Sequence, residues 1–271
     1  MMSPVTPETA AVSPARRWIG LLAVGLIGGF LSGLFGVGGG IVMVPLLTTV
    51  LCFDQRRAAA TSLAAIVPTA IAGTISYGIG GQVQLVGAAL IGVGGIVGAQ
   101  LGSRLLRRLP LGWLRWLFVA LLAVVAVRTL LEVPARGGEL AITPFSALGL
   151  IAVGLVMGIA SGLFGIGGGI LVVPVLIALF GANDLLAKGT SLAAMILTAL
   201  SGTIANVRAH LVRPVDGLVV GVAAVAASFP GVALAFGLPP LVANLLFAVL
   251  VAVSAAQIVI AALRDRRRRR S

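Results

Sequence analysis

Acidic side chains are scarce in this sequence: seven Asp and Glu stand against 19 Lys and Arg in 271 residues, which also hold a single Cys and a single His. One cysteine excludes an intramolecular disulfide and leaves no thiol spacing for a metal; Cys52 is read as a helix-end packing residue. No Asp or Glu stands in the middle of an apolar run, and all seven are assigned to the N-terminus, loops or tail. Proton or sodium coupling through a midplane carboxylate therefore has no obvious carrier. An enzyme would need a nucleophile with its base, or metal ligands. The apolar runs offer only hydroxyls and amides, so the chain is read as a non-enzyme with no catalytic residue, metal ligand or cofactor assigned.

Hydrophobic residues make up 59% of the chain and charged ones 10%, with a mean hydropathy of +1.17. A soluble domain carries about 25% charged residues, and a bilayer core needs ~20 apolar residues per helical crossing. Uncharged runs of that order extend from Trp18 to Phe53, Ala58 to Leu101, Trp116 to Val127, Thr143 to Gly181, Gly189 to Val207 and Gly217 to Leu263. Several exceed one crossing and are expected to split at Gly or Pro, giving about eight segments of an all-α polytopic membrane protein. Residues 1–15, rich in Ser, Pro and Thr, are expected to be disordered. The basic tail, residues 264–271, suits anionic lipid at a cytoplasmic surface better than nucleic acid.

The sequence then states one word twice. SGLFGVGGGIVMVP from Ser32 to Pro45 returns 129 residues later as SGLFGIGGGILVVP from Ser161 to Pro174, with 11 of 14 positions identical. TSLAAIVPTAIAGTI from Thr61 and TSLAAMILTALSGTI from Thr190 keep the same spacing. The chain is thus a duplication, with membrane repeats over residues 16–140 and 141–263, as in transporters built from two repeats.

Charge counts orient the repeats, because Lys and Arg favour the cytoplasmic side. Four simple crossings per repeat divide the basic residues 12 to 7. If each glycine block is instead the tip of a hairpin that leaves on the side it entered, followed by three crossings, the split becomes 16 to 3. Only Arg128, Arg136 and Lys188 then lie outside. Three crossings invert the second repeat and keep both termini cytoplasmic. A hairpin of two short full crossings gives the same sidedness.

Four of the five residues from Gly36 to Gly40 are glycine, which costs a helix up to ~1 kcal/mol each. Helix breaks at membrane depth persist only where protein or a water-lined cavity satisfies the backbone. A helix restarting there presents N–H groups to an anion. The candidate substrate site therefore joins Ser32, Gly36, Gly38, Gly39, Gly40, Thr61 and Ser62 with Ser161, Gly165, Gly167, Gly168, Gly169, Thr190 and Ser191. The competing explanation is close helix packing through small residues, which is favoured for Gly94, Gly98 and Gly102. A dinucleotide loop would need GxGxxG in a strand-helix unit, and a phosphate loop would need Gly-Lys-Ser or Gly-Lys-Thr; neither is present.

The paired G-L-F-G-[VI]-G-G-G-x-x-x-V-P words, each followed by T-S-L-A-A, resemble the sulfite exporter TauE/SafE family of bacterial permeases across Trp18 to Leu263. The resemblance implies a permease of a bacterial inner membrane for small, often sulfur-containing anions such as sulfite or organosulfonates, commonly directed outwards. The alternatives are a permease for another solute, including a metal cation or an uptake substrate, or a non-transporting subunit. The implied partners are the small anion and the bilayer; a homo-oligomer stays open and nucleic acid is not expected.

The halves differ where Ala59 meets Lys188, Asp54 meets Asn183, Tyr77 meets Asn206 and Pro68 meets Leu197. Lys188, the one lysine, would attract an anion at the outer mouth or serve as an interfacial charge. Asp54 and Asn183 suit helix caps. Gln100, Tyr77 and Asn206 suit helix-to-helix hydrogen bonds, and His210 a solvated loop.

Overall fold

In a computed structural model the described residues, 14–131, 140 and 142–268, form ten helices and no strand. The first half holds α1 (Pro14–Phe35), α2 (Gly40–Val50), α3 (Gln55–Ile79), α4 (Leu85–Arg108) and α5 (Leu111–Leu131). The second holds α6 (Pro144–Phe164), α7 (Gly169–Phe180), α8 (Asp184–Arg208), α9 (Pro214–Gly237) and α10 (Pro240–Arg268). Seven of these are long and apolar enough to cross a membrane, and α2, α7 and part of α5 are shorter apolar helices. The expected eight segments are thus seven spans and three shorter pieces. The expected N-terminal disorder falls on residues 1–13, outside the described residues, and α1 already begins at Pro14. Arg136 and residues 269–271 also lie outside, while α10 carries the basic tail helically to Arg268.

Each glycine block is the tip of a hairpin. The turn from Gly36 to Gly39 doubles the chain back, so that Gly28 of α1 faces Met43 of α2 and Gly20 faces Leu51 beyond the end of α2. α2 therefore returns to the end of the bundle where α1 began. Its 11 residues rise ~17 Å, about half of a ~30 Å hydrocarbon core. In the second half Gly168 meets Met157 and Gly149 meets Phe180 in the same manner, and α7 has 12 residues.

The two halves interleave rather than form separate lobes. α1 packs along α9, with Gly25, Gly29 and Gly33 against Val220, Ala224 and Ser228, and α4 packs along α6, with Gly94, Gly98 and Gly102 against Ile151, Leu155 and Ile159. Both pairs run parallel. A Cβ at Gly94 would overlap the Ile151 carbonyl oxygen, so these glycines serve helix contact, as small residues do where lipid offers no hydrophobic drive for association. α3 and α8 cross antiparallel at the centre, where Gly73 meets Leu192 and Gly202 meets Leu63.

One end of the bundle gathers the arginines. Asp216, at the start of α9 and 1% exposed, binds Arg17 of α1 and, at 3.0 Å, Arg57 of α3. Arg56 donates to the Leu109 carbonyl at the end of α4 at 2.8 Å. The starts of α1, α3 and α9 and the end of α4 thus share this basic end, along with Arg104, Arg107, Arg108, Arg208 and Arg213. Asp216 is not the solvated loop residue the sequence suggested; two half-buried guanidiniums hold its carboxylate inside the first turn.

Candidate functional site

The two hairpin tips meet inside the bundle. A Cβ at Gly40 would overlap the carbonyl oxygen of Gly165, and one at Gly169 would lie 2.7 Å from the carbonyl oxygen of Gly36. Gly36, Gly38 and Gly39 take φ of 68°, 79° and 73°, and Gly165, Gly167 and Gly168 take 71°, 77° and 86°. This left-handed backbone would cost an L-residue ~1–2 kcal/mol, and at Gly40 and Gly169 the neighbouring backbone excludes a side chain. The tip glycines therefore do pack closely, tip against tip. Close packing alone does not account for what surrounds them.

α2 and α7 both start from a left-handed glycine, Gly39 or Gly168, without a side-chain cap. Two helix N-termini thus carry their partial positive charge into the centre. On the helices that form and flank the tips, Ser32, Thr61, Ser161 and Ser191 are fully buried, and none of their hydroxyls has a hydrogen-bond partner among the described residues. A buried hydroxyl without a partner costs about 1–3 kcal/mol. Ser32 and Ser161 stand one turn before the tips and receive the Gly36 and Gly165 N–H on their carbonyls at 2.8 Å. Ser62 donates to the Gly165 carbonyl at 2.7 Å, while Thr190 accepts from the Gln84 N–H at 3.0 Å. Each copy of the Thr-Ser pair hence keeps one member engaged and one free, but not the same one.

Ile66 and Met195, equivalent positions in the duplication, sit between the tips. A Cβ at Gly38 or Gly167 would lie 2.9 Å or 2.8 Å from Met195 Sδ, and both glycines also face Ile66. Neither residue was singled out from sequence, where a Met or Ile in an apolar helix is indistinguishable from core.

Lys188 lies elsewhere than at an exposed mouth. It is 3% exposed, its Nζ is 2.7 Å from Asp184 Oδ2, and its stem lies against Gly36 of the first tip. Ala59, its equivalent, lies against Gly165 of the second tip. Asp184, 6% exposed, corrects the expectation that every acid occupies a loop, the N-terminus or the tail. It belongs to the first turn of α8, where its side chain is drawn in by the lysine four residues on. That spacing is a helical ion-pair signal and could have been found in the sequence. A cavity of about 220 Å³ lined by Gln82, Asn183, Asp184 and Phe236 reaches this pair from the end opposite the arginines.

The remaining polar residues divide. Asp54 caps α3 through the Arg56 and Arg57 N–H groups, and Asn183 caps α8 through Leu186 N–H at 2.8 Å. Tyr77 donates to the Gly33 carbonyl at 2.8 Å, tying α3 to α1. Asn206, its equivalent, is fully buried with both side-chain polar atoms unpartnered. Cys52 is exposed rather than packed, and His210 ends α8 in a left-handed turn.

Seven apolar spans, two of them the long arms of broken hairpins whose uncapped return helices start at a buried junction, define a polytopic membrane permease. The chain belongs to the family described as Sulfite exporter TauE/SafE, whose model matches residues 2–129 and 150–271. It is similar to the "Probable membrane transporter protein YunE" of Bacillus subtilis (strain 168), 28% identical over 209 residues, covering 69% of this chain and 77% of that protein. It is also similar to a "Probable membrane transporter protein" of Xylella fastidiosa (strain 9a5c), 35% identical over 191 residues, covering 69% and 73%. No solved structure matches the chain.

Proposed function

We propose that this permease moves a small oxyanion, a sulfur oxyanion or organosulfonate of the sulfite kind, outwards across a bacterial inner membrane, without acting as an enzyme. In this account the two halves lie oppositely oriented, the arginine-rich end and both termini are cytoplasmic, and the anion binds where the hairpin tips meet. The observation that carries it is the set of four unpartnered buried hydroxyls on the helices that form and flank two uncapped helix N-termini. Donors without acceptors, together with the positive ends of two helix dipoles, make an environment complementary to an oxyanion.

Lys188 supplies one buried cation beside the first tip, held by Asp184 until an anion competes for it. Passage requires the tips to part, because at Gly40 and Gly169 they close on each other. An inside-negative potential already drives an intracellular anion outwards, by ~2.3 kcal/mol per charge per 100 mV. Export of such a solute needs no carboxylate-based pump.

The test is flux through the purified chain in proteoliposomes, with sulfite, sulfate, sulfoacetate, taurine and chloride compared under an imposed potential. Sulfite or sulfoacetate is expected to pass, saturably and faster when the potential drives anions out. Transport confined to a cation, or to the zwitterion taurine, would overturn the anion assignment.

A further inference from the structure

A second feature of the bundle lies away from the tips and is independent of which solute crosses. Between α4 and α8, at the arginine-rich end, a cavity of about 320 Å³ is lined by Gln100, Arg104 and Arg107 of α4 and by Ser201, Ile204 and Arg208 of α8. None of the three arginines has an acidic partner among the described residues. The three arginines are exposed and line one cavity, an arrangement complementary to a counter-charge from outside the chain. The Ser201 hydroxyl is already spent on the Ile96 carbonyl at 3.1 Å. It ties α8 to α4 at the inner wall and leaves the arginines and the exposed Gln100 amide as the free donors.

The same groove continues along the bundle as a lipid-facing apolar surface. Val93 and Val97 on α4 and Leu200 and Ile204 on α8 are 44–55% exposed, and they share helix faces with the cavity residues at spacings of three and four. A polar, triply basic pocket therefore opens directly onto a strip of exposed aliphatic side chains. That order, cationic head site and then hydrocarbon, matches one phospholipid lying along the helices. A free anion would use only the first part.

The duplication supplies an internal comparison. The equivalent groove lies between α9 and α3, where the equivalents of Gln100, Arg104, Arg107 and Arg208 are Phe229, Ala233, Phe236 and Ile79. There Phe236 packs against Gly80 and on the Tyr77 ring, with centroids 5.7 Å apart. The packing of this helix pair does not require arginines, and the second copy fills the groove with its own side chain. A basic residue at a helix C-terminus also complements the helix dipole, which accounts for Arg107 or Arg208 singly. It does not account for Arg104, a turn further in, or for the Gln100 amide.

We infer that the α4–α8 groove is a specific binding site for an anionic phospholipid, its phosphate held by Arg104, Arg107 and Arg208 and its acyl chains lying on Val93, Val97, Leu200 and Ile204. Basic pockets between membrane helices recognise phosphate headgroups in this way.

The experiment uses the full chain in detergent micelles, titrated with phosphatidylglycerol or cardiolipin, with phosphatidylcholine, and with inorganic phosphate alone. Retained lipid is read by native mass spectrometry and stabilisation by thermal unfolding. Because the equivalent α3–α9 pair packs without arginines at these positions, Arg104→Gln/Arg107→Gln/Arg208→Gln is expected to fold. It is expected to lose on the order of 100-fold in affinity for the anionic lipids, from about 1 kcal/mol per arginine near a membrane surface. Replacing Arg268, Arg269 and Arg270 by Gln removes the same charge and is expected to change that affinity less than about 5-fold. Equal loss in the two variants would mean a diffuse surface attraction and overturn the site. So would phosphatidylcholine binding as tightly as phosphatidylglycerol, or inorganic phosphate protecting the protein as well as lipid does.

Discussion

The two halves of this chain share a backbone and differ in charge, and the contrast separates what the architecture needs from what the chemistry needs. Both tips use left-handed glycines in the same order, both return arms are half a span, and the helix contacts recur 129 residues apart. Beside the second tip α3 places Ala59, four residues after Gln55, whereas beside the first tip α8 places Lys188, paired with Asp184 four residues before it. Under exchange of the halves, Asp216 with its two arginines becomes Gly87, and the arginine groove becomes an apolar one. Geometry is therefore duplicated and electrostatics is not. The tips are a common frame, and the single charged copies give the frame a direction.

The largest effect should come from breaking the frame. Gly40→Val drives a branched side chain into the Gly165 and Ile166 backbone, which cannot move aside as a side chain can. Overpacking costs ~1–3 kcal/mol or more, and transport should fall at least on the order of 100-fold. Gly38→Ala meets the flexible Met195 instead, so adding Met195→Ala should recover part of the flux, whereas no side-chain truncation should rescue Gly40→Val. Proteoliposome flux of the single and paired variants checks both statements.

Asp184→Asn leaves Lys188 charged, buried and alone, at a cost of about 3–5 kcal/mol, read as a lower unfolding temperature. Making the second half copy the first, by Asp184→Gln with Lys188→Ala, removes the pair together and should restore stability to within about 1 kcal/mol of the parent. If Lys188 holds the anion, the same double variant should still show a roughly 10-fold higher KM, the loss of a charge-assisted contact. An unchanged KM would make the pair a purely structural asymmetry.

A smaller change is expected at the basic end. Asp216→Asn frees Arg17 and Arg57, whose side chains are 28% and 32% exposed. Solvent screens them, so the loss should be about 1–2 kcal/mol in thermal unfolding, with substrate selectivity unaltered.

Much of this was legible in the sequence, and the reasons are local. The duplicated words, the glycine break, and the caps at Asp54 and Asn183 are near-neighbour patterns. The return of each hairpin to its own end followed from counting arginines. Asp216 was not legible, because its ion-pair partners are 199 and 159 residues away and only folding joins them. Neither the tip-to-tip contact nor the Ile66–Met195 pair leaves a periodicity to read. Asp184 is advertised by Lys188 four residues later, yet in sequence a residue at a span boundary resembles a loop residue. The Tyr77 hydrogen bond fits its expected role, yet its equivalent Asn206 is buried without a partner, so equal positions need not share a function.

The central claim is that the unpartnered hydroxyls at the tips exist for the anion and not for the fold. It is tested most directly by Ser32→Ala/Ser161→Ala, with Thr69→Ala, whose hydroxyl bonds the Ala65 carbonyl at 2.8 Å, as the comparison. Removing a buried hydroxyl that has no partner should leave thermal stability unchanged or raised by about 1 kcal/mol, while sulfite efflux from proteoliposomes falls at least roughly 10-fold, the worth of about 1.4 kcal/mol. Thr69→Ala should transport as the parent does. Full sulfite efflux by a well-folded Ser32→Ala/Ser161→Ala protein would contradict the claim.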